Sequence, residues 1–117
     1  MKYMLVFAET AEDLAKREGA EAAAYWAGWS AYVQAVNQAG IVVSGAGLMP
    51  PAMATTVRIR DGKRHVQDGP YSDAKEQLGG FYVIDVPDLD TALDWAAKCP
   101  AAAYASVEVR PVLQMGE

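Results

Sequence analysis

Residues 68–82 read DGPYSDAKEQLGGFY, and the rest of the chain is organised around this stretch. It joins a turn signal, a short charged segment, a double glycine and the start of an apolar strand. Gly69-Pro70 and Gly79-Gly80 punctuate its two ends, because glycine and proline interrupt regular structure. Several ionisable side chains, among them Asp68, lie at or between these dipeptides. We therefore expect any chemical site of the protein here.

The composition indicates one soluble domain spanning residues 1–117. Hydrophobic residues make up 52% of the chain, charged residues 21%, and the net charge is -5, as is typical of a single globular unit. The chain has no basic run, so we expect no nucleic-acid partner. A single cysteine, Cys99, excludes an intrachain disulfide and favours an intracellular protein. The apolar start is too short for a membrane span or a secretory signal, which predicts a cytoplasmic protein with no membrane partner.

Apolar periodicity predicts six strands and two long helices. Patterns typical of strands fall at residues 3–8, 41–44, 54–60, 63–67, 81–86 and 106–112. Helical spacing is found at residues 21–39 and 89–99. Asp61-Gly62 predicts a hairpin turn between the third and fourth strands. We expect residues 72–78 to form an irregular or short helical link.

Capping signals mark the helix ends. Thr10 has Asp13 three residues later, a pair that predicts a short helical turn. Asp88 is a favoured N-cap for the second long helix, and Pro100 ends that helix. Cys99 then lies in a last helical turn, where the helix dipole does not favour a thiolate, so we interpret it as a core residue.

This order of elements predicts an α+β fold. Two β-α-β halves indicate a ferredoxin-like βαββαβ unit with an extra hairpin strand and both helices on one face of the sheet. The other face stays uncovered, and one side of strand 3–8 would be a costly apolar patch there. We therefore predict a homodimer in which two sheets pack face to face, with a cavity between the sheet and the helices or the partner.

The candidate catalytic residues are Asp68, Lys75, Glu76 and His65. An acid near a lysine or a second acid can serve as a general acid or base. The alternative is that Asp68 bonds the turn backbone and that the neighbouring charges are solvated. His65 lies on a hairpin strand, where exposure is commoner than catalysis. One histidine and one cysteine make no recognisable metal-ligand set, so we predict no metal or cofactor.

Four polar strand residues are candidates for ligand binding: Arg58, Ser106, Glu108 and Arg110. Glu108 and Arg110 are two apart and project to the same side of their strand. They can hold a ligand, with an arginine on an anionic group, or they can simply pair with each other.

The central stretch resembles the DGPF (DGPFAETKE) proteins of the YCII-related group. The likeness lies in DGPY at residues 68–71 and AKEQLGGFY at residues 74–82. Tyr71 stands where the family name has Phe, and Ser72-Asp73 where it has Ala-Glu; Tyr71 joins the candidate ligand-binding residues. The resemblance extends to residues 2–4, 51–52, 55–58, 88–90 and 106–111.

The resemblance implies a bacterial protein that forms a dimeric α/β barrel from ferredoxin-like subunits. YCII relatives have been suggested to be enzymes with a His-Asp pair. The aspartate of the motif is Asp68, whereas His65 lies outside it. Some DGPF-like proteins are encoded with, or fused to, extracytoplasmic-function sigma factors, which implies an accessory role.

Two functional hypotheses follow. In the first, the protein binds or converts a small polar or anionic molecule in a cavity near the dimer interface, with acid/base chemistry at Asp68 and Glu76. In the second, it is a non-catalytic module that regulates a sigma factor by protein contact. Polar groups that converge on an apolar-walled cavity favour the first. The sequence names no substrate and leaves open whether the protein is an enzyme.

Overall fold

The computed structural model describes residues 1–70 and 73–115, so Tyr71, a predicted ligand-binding residue, lies outside the described residues. The elements in chain order are β1 (Lys2–Thr10), α1 (Ala11–Ala15), α2 (Ala22–Gln38), β2 (Val42–Gly47), β3 (Thr55–Arg60), β4 (Lys63–Asp68), β5 (Glu76–Asp85), α3 (Leu89–Ala97), α4 (Pro100–Tyr104) and β6 (Ser106–Pro111). A short 3-10 helix, Pro51–Met53, precedes β3. Within the described residues, no helix is both long and apolar enough to span a bilayer.

Four strands form one antiparallel sheet in the order β2-β5-β1-β6. β1 lies inside this sheet, between β5 and β6, the position that a continuous apolar run favours. β3 and β4 form a separate two-stranded sheet. Helices together with an antiparallel sheet confirm the α+β class.

The core lies between one face of the four-stranded sheet and the helices. Alternate residues of β1 point into it, since side chains alternate between the two faces of a strand. The core cluster includes Tyr3, Leu5, Phe7, Tyr32, Val36, Ile84, Ala92 and Ala96. The ring centroid of Phe7 lies 5.2 Å from that of Trp29 and 5.9 Å from that of Tyr82, both edge-on. Such aromatic pairs contribute about 0.5–1.5 kcal/mol beyond the area that they bury.

The opposite face of the sheet carries apolar side chains that the described chain covers only in part. Met4 and Val6 of β1 are half-buried there, beside Phe81 and Val83 of β5. Leu78, farther along β5, is 46% exposed. The face therefore has the apolar character expected from the sequence, and the dimer that this character predicts stays a prediction.

The β3–β4 hairpin is exposed on both strands. Asp61 and Gly62, at φ 52 and 73, form its predicted turn. Val57 and Val66 are paired across it, and they are 59% and 56% exposed. The Cα radius of gyration is 16.0 Å, against about 13 Å for a compact domain of this length. The molecule therefore exposes apolar hairpin surface that a compact monomer would bury.

Both predicted capping pairs form. The Thr10 side chain accepts from the Asp13 backbone while the Asp13 carboxylate accepts from the Thr10 backbone. Asp88 Oδ1 accepts from the Thr91 N–H at 2.8 Å at the start of α3. These caps satisfy N–H groups that have no partner within the helix.

Two predicted boundaries are wrong. The helix expected at residues 89–99 ends at Ala97, and α4 follows it with Pro100 in its first turn, a position that tolerates proline because the first N–H needs no helical partner. Cys99 is buried as predicted, but it precedes α4 rather than ending α3. β5 begins at Glu76 rather than at residue 81, so Gly79-Gly80 lies inside a strand.

Candidate functional site

A buried glutamate lies on the helical side of β1. Glu9 follows Tyr3, Leu5 and Phe7 in the alternation of that strand, so its side chain points to the same face. It is only 1% exposed. A buried carboxylate is costly unless it is paired and hydrogen-bonded, so its partners decide what the site can do.

Two phenols and a guanidinium surround the Glu9 carboxylate. The Tyr25 hydroxyl lies 2.8 Å from Oε2 and 3.0 Å from Oε1. The Tyr104 hydroxyl donates to Oε2 at 2.8 Å. Arg17 Nη2 lies 3.5 Å from Oε1. Hydrogen bonds to a charged acceptor are roughly twice as strong as neutral ones, which makes this arrangement stable inside the protein.

Arg17 links the Glu9 carboxylate to the neighbouring backbone by hydrogen bonds. Its Nε donates to the Tyr25 oxygen at 3.1 Å. Nη1 donates to the Leu48 carbonyl, and Nη2 donates to the Gly79 carbonyl at 3.3 Å. All three nitrogens of Arg17 therefore already have protein acceptors.

Trp29 completes the group, and its indole N–H donates to the Tyr104 oxygen at 3.1 Å. Burial raises the pKa of Tyr104, and its hydrogen bond to Glu9 raises that pKa further. Burial also raises the pKa of Tyr25, and the opposing effect of Arg17 does not cancel it. Both phenols thus keep their protons at neutral pH and stay donors to Glu9. We call Glu9, Arg17, Tyr25, Trp29 and Tyr104 the Glu9 cluster.

The Glu9 cluster lies in a cleft of about 1390 Å³. Aromatic side chains that line the cleft outside the cluster are Phe7, Trp26 and Tyr82. The end of β2 and the following residues, 45–52, form another part of its lining. The volume exceeds the roughly 300–1,000 Å³ of a typical small-molecule site, so the cleft can admit a ligand.

Gly79 makes room for the carboxylate. A Cβ at this position would lie 2.7 Å from Glu9 Oε1, closer than real Cβ contacts. A Cβ at Gly80 would lie 2.8 Å from the Ala46 carbonyl oxygen on β2. The sequence suggested that the double glycine ends a link between elements. In the structure the two glycines lie within β5 and allow Glu9 and β2 to pack closely against it.

The hairpin carries three of the predicted site residues. Asp68 and His65 are exposed on β4, and Arg58 is half-buried on β3, where its Nη1 donates to Gln67 at 3.1 Å. None of the three belongs to the described lining of the Glu9 cleft. Their proposed roles in catalysis and ligand binding stay predictions.

The remaining predicted residues lie on or near the sheet. Ser106 donates to Glu76 Oε1 at 2.6 Å, and Glu108 forms an ion pair with Arg110 in which both side chains are exposed. Both pairs, Ser106 with Glu76 and Glu108 with Arg110, lie on the sheet face opposite the helices, whereas Glu9 points to the helical face.

Lys75 is exposed and lines the Glu9 cleft. Glu76 instead lines a smaller hollow of about 640 Å³ near the base of the hairpin. The structure therefore divides the four candidate catalytic residues among the cleft, the hollow and the hairpin. Among the described residues, no three His, Cys, Asp or Glu side chains are grouped as metal ligands.

The sequence reasoning missed every member of the Glu9 cluster as a site residue. One signal was present, because Glu9 continues the alternation of Tyr3, Leu5 and Phe7 while the predicted strand ended at residue 8. Tyr104 carries no such signal, since it lies 95 positions from Glu9 and its α4 helix was not predicted.

The fold and the cleft define a small α+β protein with an aromatic-walled site, and comparison with known proteins gives its family. The chain matches the model of the YCII-related domain over residues 1–116, and it belongs to that family. This confirms the resemblance seen in the sequence.

Two similar proteins are informative. The chain is 44% identical over 77 residues to an uncharacterised protein of Rhizobium meliloti (strain 1021), a match that covers 64% of this chain and 62% of that relative. A solved structure of similar fold is 5-chloro-2-hydroxyhydroquinone dehydrochlorinase from Burkholderia phenoliruptrix AC1100, in complex with 2,5-dihydroxybenzoquinone. It aligns with a TM-score of 0.57 at 14% identity, over 98% of this chain and 96% of that one.

Proposed function

We propose that the protein binds a small molecule in the Glu9 cleft and transfers a proton to or from it, with Glu9 as the terminal acid or base. The observation that carries this proposal is a buried carboxylate that contacts two protonated phenols lining the same cleft. A positioned acid or base typically accelerates a reaction about 10²–10⁴-fold.

The proton path runs through a phenol because Glu9 itself is almost fully buried. A donor group on the ligand gives its proton to the Tyr104 oxygen while the Tyr104 O–H passes its own proton to Glu9 Oε2. The ligand loses one proton, Glu9 gains one, and Tyr104 ends unchanged. Trp29 and Arg17 hold the two phenol oxygens in place during this exchange.

The similar fold of a dehydrochlorinase bound to 2,5-dihydroxybenzoquinone supports small-molecule chemistry on this fold. At 14% identity, it does not supply a substrate or a mechanism for this chain. The cluster and its cleft are the argument for a site here.

The test compares Glu9→Gln with Glu21→Gln. Glu21 is exposed at the start of α2 and its side chain makes no capping bond. A small-molecule screen by thermal shift and turnover should give hits with wild-type protein and Glu21→Gln, whereas Glu9→Gln should lose turnover by about 100-fold or more. Circular dichroism checks that each variant is folded.

Full turnover in folded Glu9→Gln would overturn the proposal. A complete lack of turnover, together with a stable complex with a sigma factor that Glu9→Gln leaves intact, would favour the regulatory module instead.

We also propose that the chain forms a homodimer of ferredoxin-like subunits whose open sheet faces pack into an α/β barrel. The strand order β2-β5-β1-β6 with antiparallel neighbours supports the ferredoxin-like description. The half-buried apolar residues of the open face and the exposed Val57 and Val66 of the hairpin support a covering partner.

Light scattering tests this assembly with a matched pair of leucines. Leu78 on the open face is 46% exposed, and Leu93 on α3 is 45% exposed. Wild type and Leu93→Lys should be dimers at micromolar concentration, and Leu78→Lys should shift towards monomer. A wild-type mass equal to the 12.5 kDa of one chain would refute the dimer.

A further inference from the structure

The hydrogen-bonding state of the Glu9 cluster decides which ligands it can hold, and this inference rests on the function proposed above. Each side chain of the cluster that can donate already has at least one protein acceptor. The two phenols donate to Glu9, the Trp29 indole donates to Tyr104, and every nitrogen of Arg17 donates to a protein oxygen.

The remaining hydrogen-bonding capacity of the two phenols is that of an acceptor. A hydroxyl oxygen has two lone pairs, and the Tyr104 oxygen uses one of them for the Trp29 N–H. The Tyr25 oxygen likewise uses one for Arg17 Nε. Each phenol oxygen can therefore accept one further hydrogen bond, and a ligand must supply the donor.

The charges near the cluster disfavour an anion. Glu9 is a buried carboxylate whose cationic neighbour, Arg17, is engaged on all three nitrogens. The arginines that the sequence offered to an anionic ligand lie elsewhere, Arg58 on the hairpin and Arg110 in an ion pair on the open face. Lys75 lines the cleft but is exposed to water, which screens its charge.

The walls favour a flat ring. Trp26 is 46% exposed and lines the cleft together with Tyr82. Aromatic side chains bind planar rings by stacking and edge contacts. We infer that the Glu9 cleft takes a planar aromatic molecule that presents a hydroxyl or amino hydrogen to the Tyr104 or Tyr25 oxygen and carries no anionic group.

Three probes of one ring size test this inference: phenol, anisole and benzoate. Phenol has the donor, anisole has the same ring and oxygen without it, and benzoate adds the anion. Titrations followed by protein NMR shifts should show phenol binding at least about tenfold more tightly than either other probe, a difference of about 1.4 kcal/mol.

Two tyrosine variants locate the effect. Tyr104→Phe combined with Tyr25→Phe removes both proposed acceptors, and in this double variant phenol should lose its advantage over anisole. Tyr3→Phe is the control, because the Tyr3 hydroxyl contacts Met1 Sδ and Tyr3 is not among the described residues that line the cleft, and it should keep the advantage.

Equal binding of phenol and anisole to wild type, tighter binding of benzoate, or no binding of any probe would each overturn the ligand class. The proton-transfer proposal is judged separately by the turnover of Glu9→Gln. A benzoate-like ligand turned over only when Glu9 is present would refute the ligand class and leave that proposal standing.

Discussion

An alanine at position 79 would place a methyl group against the Glu9 carboxylate. Its Cβ would lie 2.7 Å from Oε1 and 3.4 Å from both Cδ and Cγ of Glu9. A long surface side chain would swing away from such a contact. Glu9 cannot do so freely, because Tyr25 and Tyr104 hold its oxygens at 2.8–3.0 Å.

The cost of Gly79→Ala follows from these distances. Restoring an ordinary contact moves the carboxylate by about 0.7 Å, which stretches its phenol bonds towards the limit of hydrogen bonding. Bonds to a charged group contribute about 1.5–3 kcal/mol each, and partial loss of two is offset by about 0.4–1 kcal/mol because alanine restricts the unfolded chain. We expect a net loss of about 2 kcal/mol in the free energy of unfolding, or about 8 °C in Tm.

Gly47→Ala is the matched control, since a Cβ on that β2 glycine would have nothing within 4 Å. It should change the unfolding free energy, measured in urea, by less than about 0.5 kcal/mol. In a Glu9→Asp background, which withdraws the carboxylate by one methylene, Gly79→Ala should cost less. The packing argument fails if the two alanine variants are equally stable, or if Glu9→Asp leaves the cost of Gly79→Ala unchanged.

Two further predictions concern pH and capping. Burial raises the pKa of the Cys99 thiol from 9.0 to about 12. Between these two pH values only the unfolded thiol ionises, so the free energy of unfolding falls by up to about 1.4 kcal/mol per pH unit. Urea unfolding of Cys99→Ala should show a shallower dependence of this free energy on pH, and an unchanged dependence would contradict the assignment. Hydrogen bonds from Thr91 lower the pKa of Asp88 below its ordinary value of 3.8, so this cap stabilises the fold above that pH. The gain is lost as the pH falls through the folded pKa. Asp88→Ala should lower Tm at neutral pH but not in strong acid, Asp88→Asn should keep most of the neutral-pH Tm, and an equal Tm for Asp88→Ala and wild type at neutral pH would refute the cap.

Local patterns predicted much of the scaffold. The apolar run of β1, the Thr10 and Asp88 caps and the Asp61-Gly62 turn depend on neighbours within a few residues, and each appears in the structure. The family resemblance rested on a similarly local motif.

The candidate site could not be predicted in the same way. The charged residues around Asp68 indicated a site in that stretch, yet the acids that the fold buries, Glu9 and Asp13, lie outside it. The burial of Glu9 depends on Tyr25 of α2 and Tyr104 of α4. A local sequence pattern cannot predict that these two distant residues contact Glu9. The need for glycine at position 79 also becomes visible only when Glu9 is placed beside it.

The partners of Glu9 come from very different positions along the chain. Arg17 is 8 residues away and Tyr104 is 95 residues away. Closing the longer loop costs about 2 kcal/mol more chain entropy than closing the shorter one. The bond to Tyr104 should therefore be among the last to form during folding, once β6 has paired with β1. Trp29 is bonded to Tyr104, so its fluorescence reports on this part of the cluster. During refolding, the change in Trp29 fluorescence should occur in the last kinetic phase and not in the initial collapse.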